Sequence, residues 1–513
     1  MPKPKQFVKE TKKKGAKPRA VKQGPETADE FLEAGVEFEE AGEKWRAGDA
    51  AKSTRFFIRA IDNYDTALRS FPDSFDNAYN KARVQYQITQ HPTLAAQIPT
   101  PTIELLRIAL DSHQYALKLK QDNADVLFNT AQVLTSLAES LTESAQQSAE
   151  ARTEAGKALE EAIELFQRCL TLQEFQLAES QKQMQIAEGQ EADAQGENVE
   201  APSSSAQPEE AESGPESPEQ QQWFFIEEPV TTETILDTAI AQLETLTALC
   251  GLVASGAIEN NLSWIEEYAT NLFQTKVSDY ATSTDRVAEV ALTRANLMCA
   301  LAEAGFRTGR VDVETYEREV RSAFPDGLDL SQDPEGLCEK ADALVTFNVA
   351  VQESLIATPN ALDSQALDRL SAVRWQHLTT ALTSFTAASK LPSAENAAKI
   401  HIARGDVELL RRRLGDAPSH YAVAIRNGPT LVKNAQTYYR GAAAVARSSG
   451  SSKDAVEGSV KEAVAAFIIG NSDLLRTIQN SVGQQQVVDV LEEMFSDGIV
   501  GSEFSMSLET LGL

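Results

Sequence analysis

The chain is predicted to be all-α, an α-solenoid of stacked helical hairpins, on three observations. Apolar residues recur at spacings of three and four rather than two, which is the period of a helix face. Ala, Leu, Glu and Gln, all strong helix formers, dominate the stretches between the polar tracts. One short pattern of small, large and small residues also returns along the 513 residues, as it would in a repeat array.

Taken in order, residues 1–26 read as a disordered basic tail. Met1 to Pro25 hold nine Lys or Arg and one Glu, net +8, a composition with too little apolar surface to bury. Residues 27–186 carry the first set of helical hairpins. Residues 187–222 read as a disordered acidic insert, because Pro202, Pro208, Pro215 and Pro218 break any helix. Glu188 to Glu228 contain twelve acids and no base. Residues 223–470 form the second helical region, and 471–513 a capping helix and tail, since the last hairpin of an array would otherwise expose an apolar face.

The repeat signal is specific. Ala60, Tyr64 and Ala67 are followed by Pro72, and Ala109, His113 and Ala116 repeat the spacing 49 residues later. It returns at Ala162, Phe166 and Cys169, at Ala381, Phe385 and Ala388, and at Ala417, Tyr421 and Ala424 followed by Pro429. Steps of four and three put all three residues on one helix face, where small side chains admit a neighbouring helix and the ring fills the gap. The proline then stops the helix and turns the chain. Ala78-Tyr79-Asn80-Lys81-Ala82 and Leu127-Phe128-Asn129-Thr130-Ala131, again 49 apart, open the first helix of a new hairpin, and Gly48-Asp49 closes an earlier one.

These residues resemble the tetratricopeptide repeat family, over about 34–175 and again over 375–470. The period departs from the usual 34 residues or so; it is 49 and then 53, with insertions expected at Gln90–Pro101 and Ser136–Glu154. The plan is similar to an uncharacterised group of fungal tetratricopeptide proteins. It is also similar to dedicated assembly chaperones of ribosomal proteins and to nuclear histone chaperones whose repeats are interrupted by an acidic segment.

Charge narrows the partner. The 76 acids against 47 Lys and Arg give −29, and −25 remains once the tail and insert are set aside. Such a body is a poor ligand for nucleic acid, which requires a basic surface, and a good one for basic proteins. Cys169, Cys250, Cys299 and Cys338 form no CxxC pair, and no run of about 18 apolar residues suggests a membrane span. A soluble protein of nucleus and cytoplasm is expected, with Lys12, Lys13, Lys14, Lys17 and Arg19 as a nuclear-targeting tail; a plain solvated tail, or one folded back into the groove, are the other readings.

No catalytic residue, metal site or cofactor is expected. His91, His113, His377, His401 and His420 show no ligand spacing, His113 stands where the repeat wants a packed ring, and no phosphate-binding loop occurs; Gly305 to Arg310 reads as a helix exit. In an array of this kind the first helix of each hairpin lines the concave side. That places Phe38, Trp45, Tyr79, Arg83, Tyr86, Phe128 and Gln132 in a partner-binding groove, with Asp76 and Asp125 at its edge; the competing reading makes the rings core. Rings beside carboxylates suit a peptide carrying Lys or Arg. The Lys and Asn clamp of chaperone-binding tetratricopeptide domains is missing, because those positions hold Phe38 and Gly42, Tyr79 and Arg83, and Phe128 and Gln132.

Trp223-Phe224-Phe225-Ile226 is an apolar cluster that either docks back on the solenoid or joins the client site. Arg411, Arg412 and Arg413 lie on successive helix faces and are expected to be solvated. The expected function is a non-catalytic scaffold or dedicated chaperone holding a basic client segment. The alternative is an adaptor for a neutral or apolar helical motif; nothing in the sequence fixes the oligomeric state.

Overall fold

The structure is a computed structural model that describes residues 25–142, 148–194, 230–258, 262–282, 284–325, 327–358 and 362–501. The fold is all-α, a solenoid of stacked helical hairpins, and no strand occurs among the described residues. In chain order the helices are α1 (Ala28–Arg46), α2 (Ala50–Ser70), α3 (Phe75–Thr89), the single turn α4 (Pro92–Ala95), α5 (Thr102–Leu119) and α6 (Ala124–Thr142). The long α7 (Ala149–Ala194), α8 (Thr232–Ala254) and α9 (Leu262–Leu272) follow, and a π-helical turn over Phe273–Val277 leads into α10 (Ser278–Ala281). Then come α11 (Val287–Arg307), α12 (Val313–Ala323), α13 (Pro334–Ala357), α14 (Ser364–Ala388) and α15 (Ala397–Arg413). The last are α16 (Ala422–Ser449), α17 (Ser452–Ile468), α18 (Asp473–Val482) and α19 (Gln484–Ser496).

The chain divides into two compact units. The first takes α1 to α5 and α6 as far as Ser140, then Lys157–Thr245 and Leu272–Asp285. Its opening helix starts on a capping box: Thr27 Oγ1 accepts from the Glu30 amide at 3.2 Å and Glu30 reaches back to the Thr27 amide at 3.3 Å. Asp49 caps α2 through the Lys52 amide at 2.9 Å. Along α1, Gly35 and Gly42 stand under the rings of Tyr64 and Phe57, and a Cβ on Gly42 would lie 2.9 Å from the Phe57 ring. Glycine is required there because the rings occupy the space of a side chain.

The same device is graded along the unit. Ala109, His113 and Ala116 of α5 are fully buried against α3, and Phe128 of α6 meets Phe166 of α7 edge-on at 5.5 Å. Thr238 of α8 donates to the Gln173 side chain at 2.9 Å and Gln242 to the Ile163 carbonyl at 3.1 Å, so α8 runs along α7.

The second unit takes Leu141–Gly156, Leu246–Asn271 and the chain from Arg286 on. Rings run in contact through its first layers: Phe306 stacks on Tyr316 at 5.2 Å, and Tyr316 meets Phe347 at 4.9 Å and Phe347 meets His377 at 5.0 Å in tilted pairs. Further along, Gly405 of α15 lies under the buried Tyr439 of α16, and Gly458 brings α17 to within 3.0 Å, counted from an added Cβ, of the Ala443 backbone. The α16 helix ends on Gly450 at φ +80°, a left-handed turn that favours glycine. Val487, Leu491 and Met494 of α19 close the core.

Four of the five small-large-small sets are buried on second helices as the spacing requires. The fifth is corrected. Ala417 and Tyr421 lie in the turn before α16, and Pro429 sits inside that helix instead of ending it. The spacing recurs 18 residues on, at Ala435, Tyr439 and Ala442, all fully buried. Pro429 is tolerated because Ile425, whose carbonyl loses its donor, is on an exposed side where water can replace the bond.

Other boundaries shift for similar reasons. The insertion expected from Ser136 is helical through Thr142, and α7 continues to Ala194, eight residues into the expected acidic insert. The first half of α8 packs on α7 and belongs to the first unit, so the division of the chain lies within α8. Arg411, Arg412 and Arg413 do not form one patch, yet they are not simply solvated. Arg411 pairs with Glu408 at 3.0 Å and lies over the Trp375 ring, Arg412 pairs with Asp416, and Arg413 donates to the Gly498 carbonyl. The tail residues Lys12, Lys13, Lys14, Lys17 and Arg19, the acids beyond Ala194, Trp223-Phe224-Phe225-Ile226 and residues 502–513 lie outside the described residues.

Candidate functional site

The residues read from the sequence as a groove all fall in the first unit. Tyr79, Tyr86 and Phe128 are buried between helices. Tyr79 accepts from the Asn129 side chain at 2.7 Å, and Tyr86 shares a hydrogen bond with Ser136 at 3.0 Å, so these rings join α3 to α6. Arg83 pairs with Glu39 of α1, which also accepts from the Tyr64 hydroxyl. Burial pushes the Tyr79 phenol up, and Asp125 adds to it. Phe38 and Trp45 are half-buried and covered by α2, with Arg59 4.3 Å and Lys52 3.1 Å from their ring centres. Asp76 is partly buried, and its carboxyl is raised by that burial against the pull of Lys120. Gln132 accepts from Tyr86 through its carbonyl and is half-buried with Asp125. The side chains that come together therefore join neighbouring helices.

In the second unit, carboxylates from several helices gather around one cleft. A cleft of about 490 Å³ is lined by Glu303, Asp342, Glu353, Asp406 and Asp497, with Arg307 as the lining cation. These acids come from α11, α13, α15 and the turn after α19. Val345, Val349, Val407 and Leu410 supply apolar walls. Arg307 is shared between Glu303 at 2.7 Å and Glu353, and Asp406 is held by Lys461 at 3.1 Å and by the Tyr439 hydroxyl at 2.7 Å. Asp342 and Asp497 have no ion pair among the described residues, and both face solvent inside the concavity.

Their titration follows. Asp342 keeps an exposed edge, but the packed atoms around its carboxyl desolvate it and Glu339 repels its charge, which pushes it up. Asp497 is pushed up to about 6, by desolvation first; Lys461 opposes this, and Asp406, Glu493 and Glu457 add to it. Two carboxylates that resist ionising in the free protein are stabilised by an arriving cation.

No protein-family model matches the chain. It is similar to a UPF0656 protein of Schizosaccharomyces pombe, 34% identical over 124 residues. That match covers 24% of this chain and 26% of the relative. A solved circular tandem repeat protein aligns over 92% of this chain and 99% of its own at 16% identity, with a TM-score of 0.25. A score that low carries no argument about a shared fold. The helical repeat character rests on the hairpins themselves.

No three His, Cys, Asp or Glu among the described residues gather as metal ligands would. α8 is long and apolar enough to cross a membrane, with mean hydropathy 1.3 over its best window, but 72% of that window is buried within the protein, as in a core helix. The cleft escaped the sequence because its acids are scattered from position 303 to 497 with no common spacing. One signal was available: α13 and α15 are first helices of hairpins, so Asp342 and Asp406 obey the rule that places first helices on a concave face.

Proposed function

We propose that this helical repeat protein is a non-catalytic scaffold of tetratricopeptide type that holds a basic segment of a client protein in the acidic cleft of its second unit. The observation that carries the reading is a single cleft lined by five carboxylates, with Arg307 as its lining cation. Lys or Arg side chains entering there would meet Asp342 and Asp497, while their methylene stems lie on Val345, Val349 and Leu410. The role this suits is that of a dedicated chaperone for a ribosomal protein or histone, in nucleus and cytoplasm, which shields a segment rich in positive charge.

The test is fluorescence anisotropy with a labelled Arg- and Lys-rich peptide and a neutral amphipathic one, at about 50 and 300 mM salt, where screening separates charge pairing from apolar contact. The basic peptide should bind with an affinity that falls steeply with salt, and Asp342→Asn with Asp497→Asn should weaken it. Preference for the neutral peptide, indifferent to salt, would make the protein an adaptor for a helical motif and end the basic-client reading.

A further inference from the structure

The long helix α7 outruns its partner. Its face toward α8 is marked by Phe166, Leu170 and Gln173, which are 0%, 4% and 7% exposed. The face continues to the half-buried Leu177 and, seven residues on past Ser180 and Gln181, to Met184, which is 65% exposed. The change has a geometric cause. Thr238 of α8 is bonded to Gln173, and Gln242 to Ile163, so the two helices run antiparallel. Thr232, where α8 begins, therefore stands opposite roughly residues 173 to 179 of α7, so the last fifteen or more residues of α7, at least about 22 Å at 1.5 Å per residue, run past the start of α8.

The chain that enters α8 carries its own apolar group at this point. Ile226 is four residues, and Trp223 seven, before Val230. Extended residues span roughly 3.3 Å each, so the six to nine residues between the group and Thr232 can reach Met184, roughly 8 to 16 Å along α7 from the level of Thr232. We propose that the Leu177–Met184 stripe of α7 is the docking face for Trp223-Phe224-Phe225-Ile226 of the same chain. Three aromatic rings and an isoleucine would remove their apolar area from water against a stripe already begun by Leu177. This contact would tie the return of the acidic segment to the first unit, and it does not depend on what the cleft in the second unit binds.

Disulfide trapping in the full-length protein tests it. The pair Met184→Cys with Phe225→Cys is oxidised at pH 8, where the native thiols stay protonated: burial pushes Cys169, Cys250 and Cys299 up to about 12 and Cys338 up to about 11. The same pair is then measured with Trp223→Ser, Phe224→Ser and Ile226→Ser, which leave the tether length unchanged. Docking predicts an intramolecular disulfide whose rate falls about tenfold once the apolar neighbours are gone, because local concentration then depends on the tether alone. An unchanged rate, or a disulfide between two chains, overturns the proposal; the latter would make a second copy the occupant. Circular dichroism of each variant checks that α7 is intact.

Discussion

The hairpins α1/α2 and α15/α16 share one joint and differ in its charge. In each, a glycine of the first helix lies under a buried tyrosine of the second, Gly35 under Tyr64 and Gly405 under Tyr439. In each, the tyrosine hydroxyl donates to a carboxylate of the first helix, Glu39 or Asp406, which is also paired with a cation from a later helix, Arg83 or Lys461. The joint thus stitches three helices. Around Arg83 the further partner is the neutral Asn80, so one acid meets one base. Around Lys461 there is a second acid, Glu457 at 3.0 Å, and Glu493 and Asp497 lie near enough for the pairing to be felt in their titration. The same packing solution is locally neutral at the first joint and locally negative at the second, whose Asp406 and neighbouring Asp497 also line the cleft.

The largest expected effect tests the joint itself. Lys461 is 2% exposed and bracketed by two carboxylates, so Lys461→Met strands both and should cost about 3–5 kcal/mol in urea unfolding of the second unit. Arg83→Met strands only Glu39, and the Arg83 side chain is 24% exposed, so screening should hold its cost to roughly 1–3 kcal/mol. Equal losses would mean that the two joints do not differ in charge balance.

The second comparison is functional. Asp342→Lys with Asp497→Lys should weaken binding of an Arg-rich peptide by at least about tenfold, whereas Asp76→Lys with Asp125→Lys in the first unit should change it by less than about threefold. The reverse ranking would return the client site to α3 and α6.

How much of this was legible in the sequence depends on the range of the contacts. Ala60, Tyr64 and Ala67 announce a helix face because their spacing is local, and their burial follows. The first-unit groove residues were harder, because a ring at helical spacing serves either a groove or a seam. Tyr79 and Tyr86 prove to be seams once Asn129 and Ser136, some fifty residues on, meet their hydroxyls. The cleft needed still more. Asp342 and Asp497 are 155 positions apart, and only the stacking of α13, α15 and α19 brings them to one hollow.

A smaller effect separates the roles of the two tyrosines from those of their carboxylates. Tyr64→Phe and Tyr439→Phe each remove one hydrogen bond to an ionised acceptor, yet leave that acceptor paired with Arg83 or Lys461. Each should cost about 1–2 kcal/mol, well below the loss from removing the cation. A cost as large as that of Lys461→Met would make the hydroxyl, and not the ion pair, the main support of the carboxylate.

The finest test is the proton balance of the cleft. Asp342 and Asp497 are raised to about 7 and about 6, above the value of roughly 3.9 expected for an unfolded aspartate. A raised carboxylate binds its proton more tightly in the fold, so the contribution of these two groups to free-protein stability should be greatest at acid pH and be lost as pH rises from about 4 to 7. Peptide binding should run the other way. A bound cation favours the ionised carboxylate, so protons are released on binding and affinity rises by a few-fold between about pH 5.5 and 8. Calorimetry in two buffers of different ionisation enthalpy counts those protons. Asp342→Asn should reduce the count at pH 7 and raise stability there, because its carboxylate is the more strongly opposed of the two. The first unit offers Asp76, also raised by burial but already facing Lys120, so Asp76→Asn should leave the proton count unchanged. Binding that releases no protons over this range would mean that the peptide bypasses the cleft, and the charge difference between the two joints would then have no part in recognition.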